Sequence, residues 1–166
     1  MLNFPILLLA ALVPLIVGAI WYHPSVFGNA WMQAAGMNQE QIKNSNMLKI
    51  FGLTFVLSLM FSMVLQMMVV HQFSLYSVVA DTVKQPGDTS TPDGLWLKQA
   101  MDTYGTKFRT FKHGAFHGVL TGIFFILPIV GVNALFERRS AKYIFIHVGY
   151  WTVSAMLMGG IICQFI

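Results

Sequence analysis

Hydrophobic positions along this chain gather into four runs, and most polar positions lie between them. The first run extends from Phe4 to Tyr22 without a charge, and the second from about Leu48 to His71 with Lys49 at its mouth. The third extends from about Gly114 to Phe136 and the fourth from Tyr143 to Gln164. A helix crosses the hydrocarbon core of a bilayer with about 20 apolar residues, and each run approaches or exceeds that length. None shows the strict alternation of a membrane barrel strand. The pattern predicts an all-α membrane protein, a four-helix transmembrane bundle forming one domain over residues 1–166. A long polar loop, about 77–112, separates the second and third helices.

The connections carry their own signals. No Lys or Arg precedes the first run and no small-residue cleavage site follows it, so it reads as a retained anchor rather than a signal peptide. Pro24 disfavours helix at His23, so the first helix ends at a Trp21-Tyr22-His23-Pro24 corner and the chain turns along the interface. Asn38 followed by Gln41 resembles a capping box, which predicts that the second helix begins well before its buried part. In the long loop Pro86-Gly87 breaks the chain, and Thr91 then caps a short helix with Pro92 at its first position. Leu97, Met101 and Tyr104 share a face of that helix, with Trp96 beside them and Gly105 at the exit. The segment is either a surface helix on the membrane or a loop packed over the bundle. Residues 137–142 leave room only for a tight connection, so the last two helices form an antiparallel hairpin. Pro128 removes one backbone hydrogen bond and is expected to bend the third helix.

Composition agrees with a membrane setting. Only 10% of the residues are charged, against about 25% in a soluble domain. The net charge of +4 comes from basic residues at helix ends, where they meet lipid headgroups. The bilayer is therefore the expected partner, and no basic run interleaved with aromatics points to nucleic acid. Trp21, Tyr22, Trp31, Trp96, Tyr143 and Trp151 are read as interfacial anchors. Four spans put both termini on one side. The compact Arg138-Arg139-Lys142 cluster marks the other side as cytoplasmic, while Lys107, Arg109 and Lys112 pull the opposite way. The single cysteine, Cys163, can form no internal disulfide.

The end of the first helix, Gly18-Ala19-Ile20-Trp21-Tyr22-His23-Pro24, continues into Phe27-Gly28 and Trp31-Met32. Towards the other end stand Asn133-Ala134-Leu135-Phe136-Glu137-Arg138-Arg139, Gly149-Tyr150-Trp151 and Met158-Gly159. Together these resemble the small bacterial membrane proteins catalogued as domain of unknown function 1761. The resemblance covers both ends of the chain and not the loop from Ser77 to Lys112. It implies a four-helix protein of the bacterial cytoplasmic membrane and supplies no catalytic residue. Where the family pattern ends in Tyr-Ser-Pro, this chain has Tyr22-His23-Pro24, so the resemblance assigns no role to His23.

Three constellations carry chemistry. Gly114, Gly118 and Gly122 lie four apart on one face of the third helix, and Ala155 and Gly159 offer a second small-residue face on the fourth. Such faces let helix backbones approach closely, either between copies or other membrane-protein subunits, or within one bundle. His113 and His117 stand four apart at the entrance of the third helix, and the antiparallel arrangement brings His71 to the same membrane face. They are candidates for metal or haem ligation. His117, one turn deeper, needs a partner in a dry setting, with Gln66 and Thr121 as candidates. Met60, Met63 and Met67, beside Met68, form a thioether stripe of the kind that suits monovalent copper, or simply fills space. Glu137, at the end of the third helix, is expected in an interfacial ion pair. No nucleophile elbow, paired carboxylates, zinc motif or phosphate loop occurs, so no catalytic residue and no cofactor is expected. The primary expectation is a helix-packing module that self-associates or serves as an accessory subunit. The alternative is a small oligomeric transporter or channel for a metal ion, proton or small solute, and haem or quinone binding ranks third.

Overall fold

A computed structural model describes residues 3–85 and 87–166. Pro86, half of the expected Pro86-Gly87 break, lies outside the described residues. All regular structure among the described residues is helical, and four helices are long and apolar enough to cross a membrane. These are α1 (Phe4–Trp21), α4 (Met47–Val69), α7 (Phe111–Phe136) and α8 (Ala141–Phe165). Between α1 and α4 lie a wide π turn (Pro24–Gly28) and two short helices, α2 (Asn29–Ala35) and α3 (Gln39–Lys43). Between α4 and α7 lie α5 (Gln72–Val78) and α6 (Pro92–Tyr104).

The connections follow local chemistry. His23 is extended, with ψ 141°, as a residue before proline must be, and its Nδ1 accepts from the Ser25 amide. Asn38 and Gln41 form a complete capping box, but it caps the separate helix α3. The expectation that α4 starts there is corrected: α4 begins afresh at Met47, where the Asn46 side chain accepts from the Lys49 amide. Thr91 caps α6 through the Gly94 amide, and Leu97 is buried beneath the helix while Trp96 and Tyr104 stay exposed. The α7–α8 hairpin closes through Arg138, whose φ of 55° is left-handed. Its geometry lets Arg139 N donate to Ala134 O at 2.8 Å, satisfying a terminal carbonyl of α7. Arg139 also reaches Glu137 Oε2 at 3.4 Å.

Helix α8 is the centre of the bundle and packs against the other three spans. One side of it meets Leu7, Ala10, Val13 and Val17 of α1 and Leu65 and Val69 of α4, around its own Met158 and Ile162. Its other side receives α7, and there the glycine face is used up inside the chain. A Cβ on Gly114 would stand 2.0 Å from Gly159 O, and one on Gly118 would stand 2.2 Å from Ala155 O. One on Gly122 would stand 2.2 Å from Thr152 Oγ1. The two backbones thus touch along most of this contact, which is how helices gain dispersion energy in lipid, where apolar burial alone offers little. Helix α7 then widens into a π turn at Gly122–Ile126, directly before Pro128, whose missing N–H the wide turn accommodates.

One anchor needs correction. Trp151 stands ten residues into α8, about 15 Å along the axis, and packs edge-on against Phe61 of α4. At that depth it fills the bundle instead of marking the interface. Trp21 and Tyr143 sit at helix ends, and the Trp21 indole N–H donates to Ile146 O at 3.1 Å.

Candidate metal centre

The end of α4 and the start of α7 bring three imidazoles together. Helix α4 stops at Val70, whose backbone turns to ψ 91°, and His71 follows at the first position outside the span. Across from it Thr110 caps α7 by accepting from the His113 amide, and His117 follows one turn deeper. One ligand atom from each of His71, His113 and His117 lies within 4.8 Å of the others. His71 Nε2 and His113 Nε2 are 2.9 Å apart, sharing a hydrogen bond in which one ring donates and the other accepts. The three rings meet edge to face, with centroids 4.6 to 5.0 Å apart. His71 is exposed and the other two are half-buried, so the cluster is open on the His71 side.

The surroundings hold the cluster in place. Phe108 adopts a left-handed backbone with φ 64°, costly for an aromatic residue. Its ring stacks on His113 at 5.0 Å and meets the edge of His71. From beneath, the buried Cys163 thiol sits 3.4 Å from Val69 O and 3.3 Å from Phe108 O. It is one donor shared by two carbonyls, and it ties the end of α4 to the segment leading into α7. Gln164 Oε1 accepts from the Phe111 amide, and Arg109 Nε donates to Cys163 O. Gln72 Nε2 bridges Tyr104 O and Lys107 O, which fixes the returning loop. The carboxyl end of α8 is thus the plate on which both histidine-bearing elements are mounted.

A family model described as Protein of unknown function (DUF1761) matches residues 6–163. The chain belongs to this family. The DUF1761 match runs through the middle of the chain, so it includes all three histidines and the loop that the resemblance from the two ends left uncovered. No curated protein and no solved structure matches the chain.

Tetrahedral zinc with bonds of about 2.0–2.1 Å places its nitrogen ligands roughly 3.4 Å apart. One pair stands 2.9 Å apart and all three lie within 4.8 Å, so the residues that could hold such an ion are His71, His113 and His117. The donors are imidazole nitrogens, which suit zinc, copper, cobalt or nickel. Calcium and magnesium require oxygen ligands, and the cluster is built of imidazole alone. As placed, the three rings are in mutual edge contact and leave no slot for a porphyrin between them.

Other candidates fall elsewhere. Thr121 Oγ1 donates to the backbone carbonyl of His117 and approaches Met68 Sδ at 3.9 Å, while Gln66 is fully buried on another face of α4. The ring of His117 meets those of His71, His113 and Phe116. Met60 and Met67 point outward, each about 60% exposed, and Met63 packs against the core, so the thioether stripe does not converge on any point. His147 lies at the opposite end, where its Nδ1 meets the Tyr22 hydroxyl at 3.2 Å. Neither Phe108 nor Cys163 carries a signal for this site in the sequence.

Proposed function

We propose that this multi-pass membrane protein binds a transition-metal ion of the zinc or copper class at His71, His113 and His117. The observation that carries this reading is the convergence of three imidazole nitrogens within 4.8 Å from two separate helices. Water reaches one side of the cluster, and a bonded plate of α8 backs the other. The core beneath is closed by Leu7, Leu65, Met158 and Ile162, all fully buried, which favours binding at one face over conduction through a single bundle. With the charge of the α7–α8 hairpin marking the cytoplasm, the cluster and both termini face the outside of a bacterial inner membrane. The glycine face is occupied within the chain, so assembly with copies or other subunits would use the outward faces of α4 and α7.

Equilibrating the purified protein with zinc, copper or cobalt, removing free ion and measuring metal per chain tests the reading. One ion per chain is expected for at least one of these metals. His71→Ala, His113→Ala and His117→Ala should each weaken binding by about a hundredfold or more, and His147→Ala should leave it unchanged. Equal metal content in the wild type and the triple variant would sink the proposal.

A further inference from the structure

A second recess opens at the opposite membrane face. It lies between α1 and α4, roofed by the π turn, α2 and α3, and encloses about 640 Å³, within the size range of ligand pockets. Its deep wall is apolar, formed by Pro14, Gly18, Ala19 and Phe51, while Gln39 and Ser45 stand at its rim. Pro14 precedes the end of α1 by seven residues and Thr54 follows the start of α4 by seven. The recess therefore reaches about 10 Å below the helix ends. Glycine and alanine on α1 keep this depth open. The gradient from polar rim to apolar floor matches an amphiphile with its headgroup at the interface.

Charge narrows the choice of occupant. Lys43 closes α3 and Lys49 opens α4, so in sequence they bracket Ser45 and Met47 of the rim without lining the recess itself. The ion pairs among the described residues are Lys98–Asp102 and Arg139–Glu137, so neither of these lysines is held by a carboxylate. Across this membrane face five basic residues (Lys43, Lys49, Arg138, Arg139 and Lys142) stand against two acids, Glu40 and Glu137. Such a surface attracts anionic headgroups.

We propose that the recess holds one chain of an anionic phospholipid drawn from the bilayer, with the phosphate beside Lys43 and Lys49. A zwitterionic lipid suits the apolar wall equally well but gains nothing from the two lysines. The site is independent of the histidine cluster and needs no metal.

Native mass spectrometry of the full chain released from mixed phosphatidylglycerol and phosphatidylcholine nanodiscs tests this directly. One retained phosphatidylglycerol per chain is expected, favoured about tenfold over phosphatidylcholine. Ala19→Phe fills the recess and should abolish retention of either lipid. The double variant Lys43→Gln with Lys49→Gln should keep a retained lipid but bring the preference close to one. Circular dichroism in the same nanodiscs checks that each variant is folded. The inference is overturned if the wild type retains no lipid, if it holds both lipids equally, or if a folded Ala19→Phe variant retains as much as the wild type.

Discussion

At one end of the bundle His147 meets the Tyr22 hydroxyl and is flanked by the rings of Tyr22 and Tyr143. At the other, His71, His113 and His117 have one another as ring neighbours, with Phe108 and Phe116 outside them. Both arrangements place imidazole near the membrane surface, yet they leave different chemistry. A histidine that meets a phenol through Nδ1 commits one ring nitrogen to packing one helix end against another, and its buried Nε2 faces no partner among the described residues. Three histidines aimed at one point have nitrogen lone pairs to offer a common guest. What makes a membrane histidine a ligand candidate is therefore where its neighbours aim, more than its depth or sequence spacing.

The strongest way to break this contrast is to push α7 off α8. Gly118→Leu would place Cβ 2.2 Å from Ala155 O and 2.5 Å from its carbonyl carbon, which no rotamer relieves. A loss of about 3 kcal/mol or more is expected, together with dispersal of His113 and His117 away from His71. Gly131→Leu, where nothing lies within 4 Å of the added Cβ, should change stability by less than about 0.5 kcal/mol. Denaturation by titrated sodium dodecyl sulfate, followed by circular dichroism, reads both. Equal unfolding midpoints would mean that the α7–α8 contact does not hold the histidine end together.

How legible these ends were in the sequence differs for physical reasons. Four spans follow from uninterrupted apolar length, because a bilayer demands it whatever the tertiary contacts. The spacing of His113 and His117, with a hairpin returning past His71, already placed three imidazoles at one membrane face. It could not show them touching, since that depends on the break at Val70 and the turn at Phe108. The role of Cys163 was hidden too, because its two carbonyl partners lie 94 and 55 residues away in sequence. Trp151 differs from the other anchors because a tryptophan inside an apolar run reads the same in sequence whether it meets headgroups or Phe61. The capping box at Asn38 was real but belonged to α3, since local hydrogen bonds mark a helix start without saying which helix follows.

A smaller change sharpens the contrast from below the histidine cluster. Cys163→Ala removes the donor between Val69 O and Phe108 O, so the buried Val69 O loses the thiol while Phe108 O keeps the Thr110 amide. A cost of about 1–2 kcal/mol is expected, with a measurable drop in metal affinity because both histidine-bearing elements lose a tie. Cys163→Ser restores a donor and should recover most of the stability. If the alanine variant matches the wild type in metal affinity and unfolding, the thiol is not a positioning group.

The mildest test acts at the other end. Burial, reinforced by the nearby Tyr150 and Tyr143, pushes the Tyr22 phenol well above its usual range, so it stays protonated and available to His147. Tyr22→Phe keeps the ring, its edge contact with Trp31 and its packing on Tyr150, and removes only the hydroxyl. The expected loss is about 1 kcal/mol, seen as a small shift in the detergent unfolding midpoint. Metal affinity should not move, because the histidine that loses its partner lies across the membrane from the three that converge. A substantial fall in metal binding in this variant would show that the two ends are coupled through α8 and that His147 is more than a packing residue.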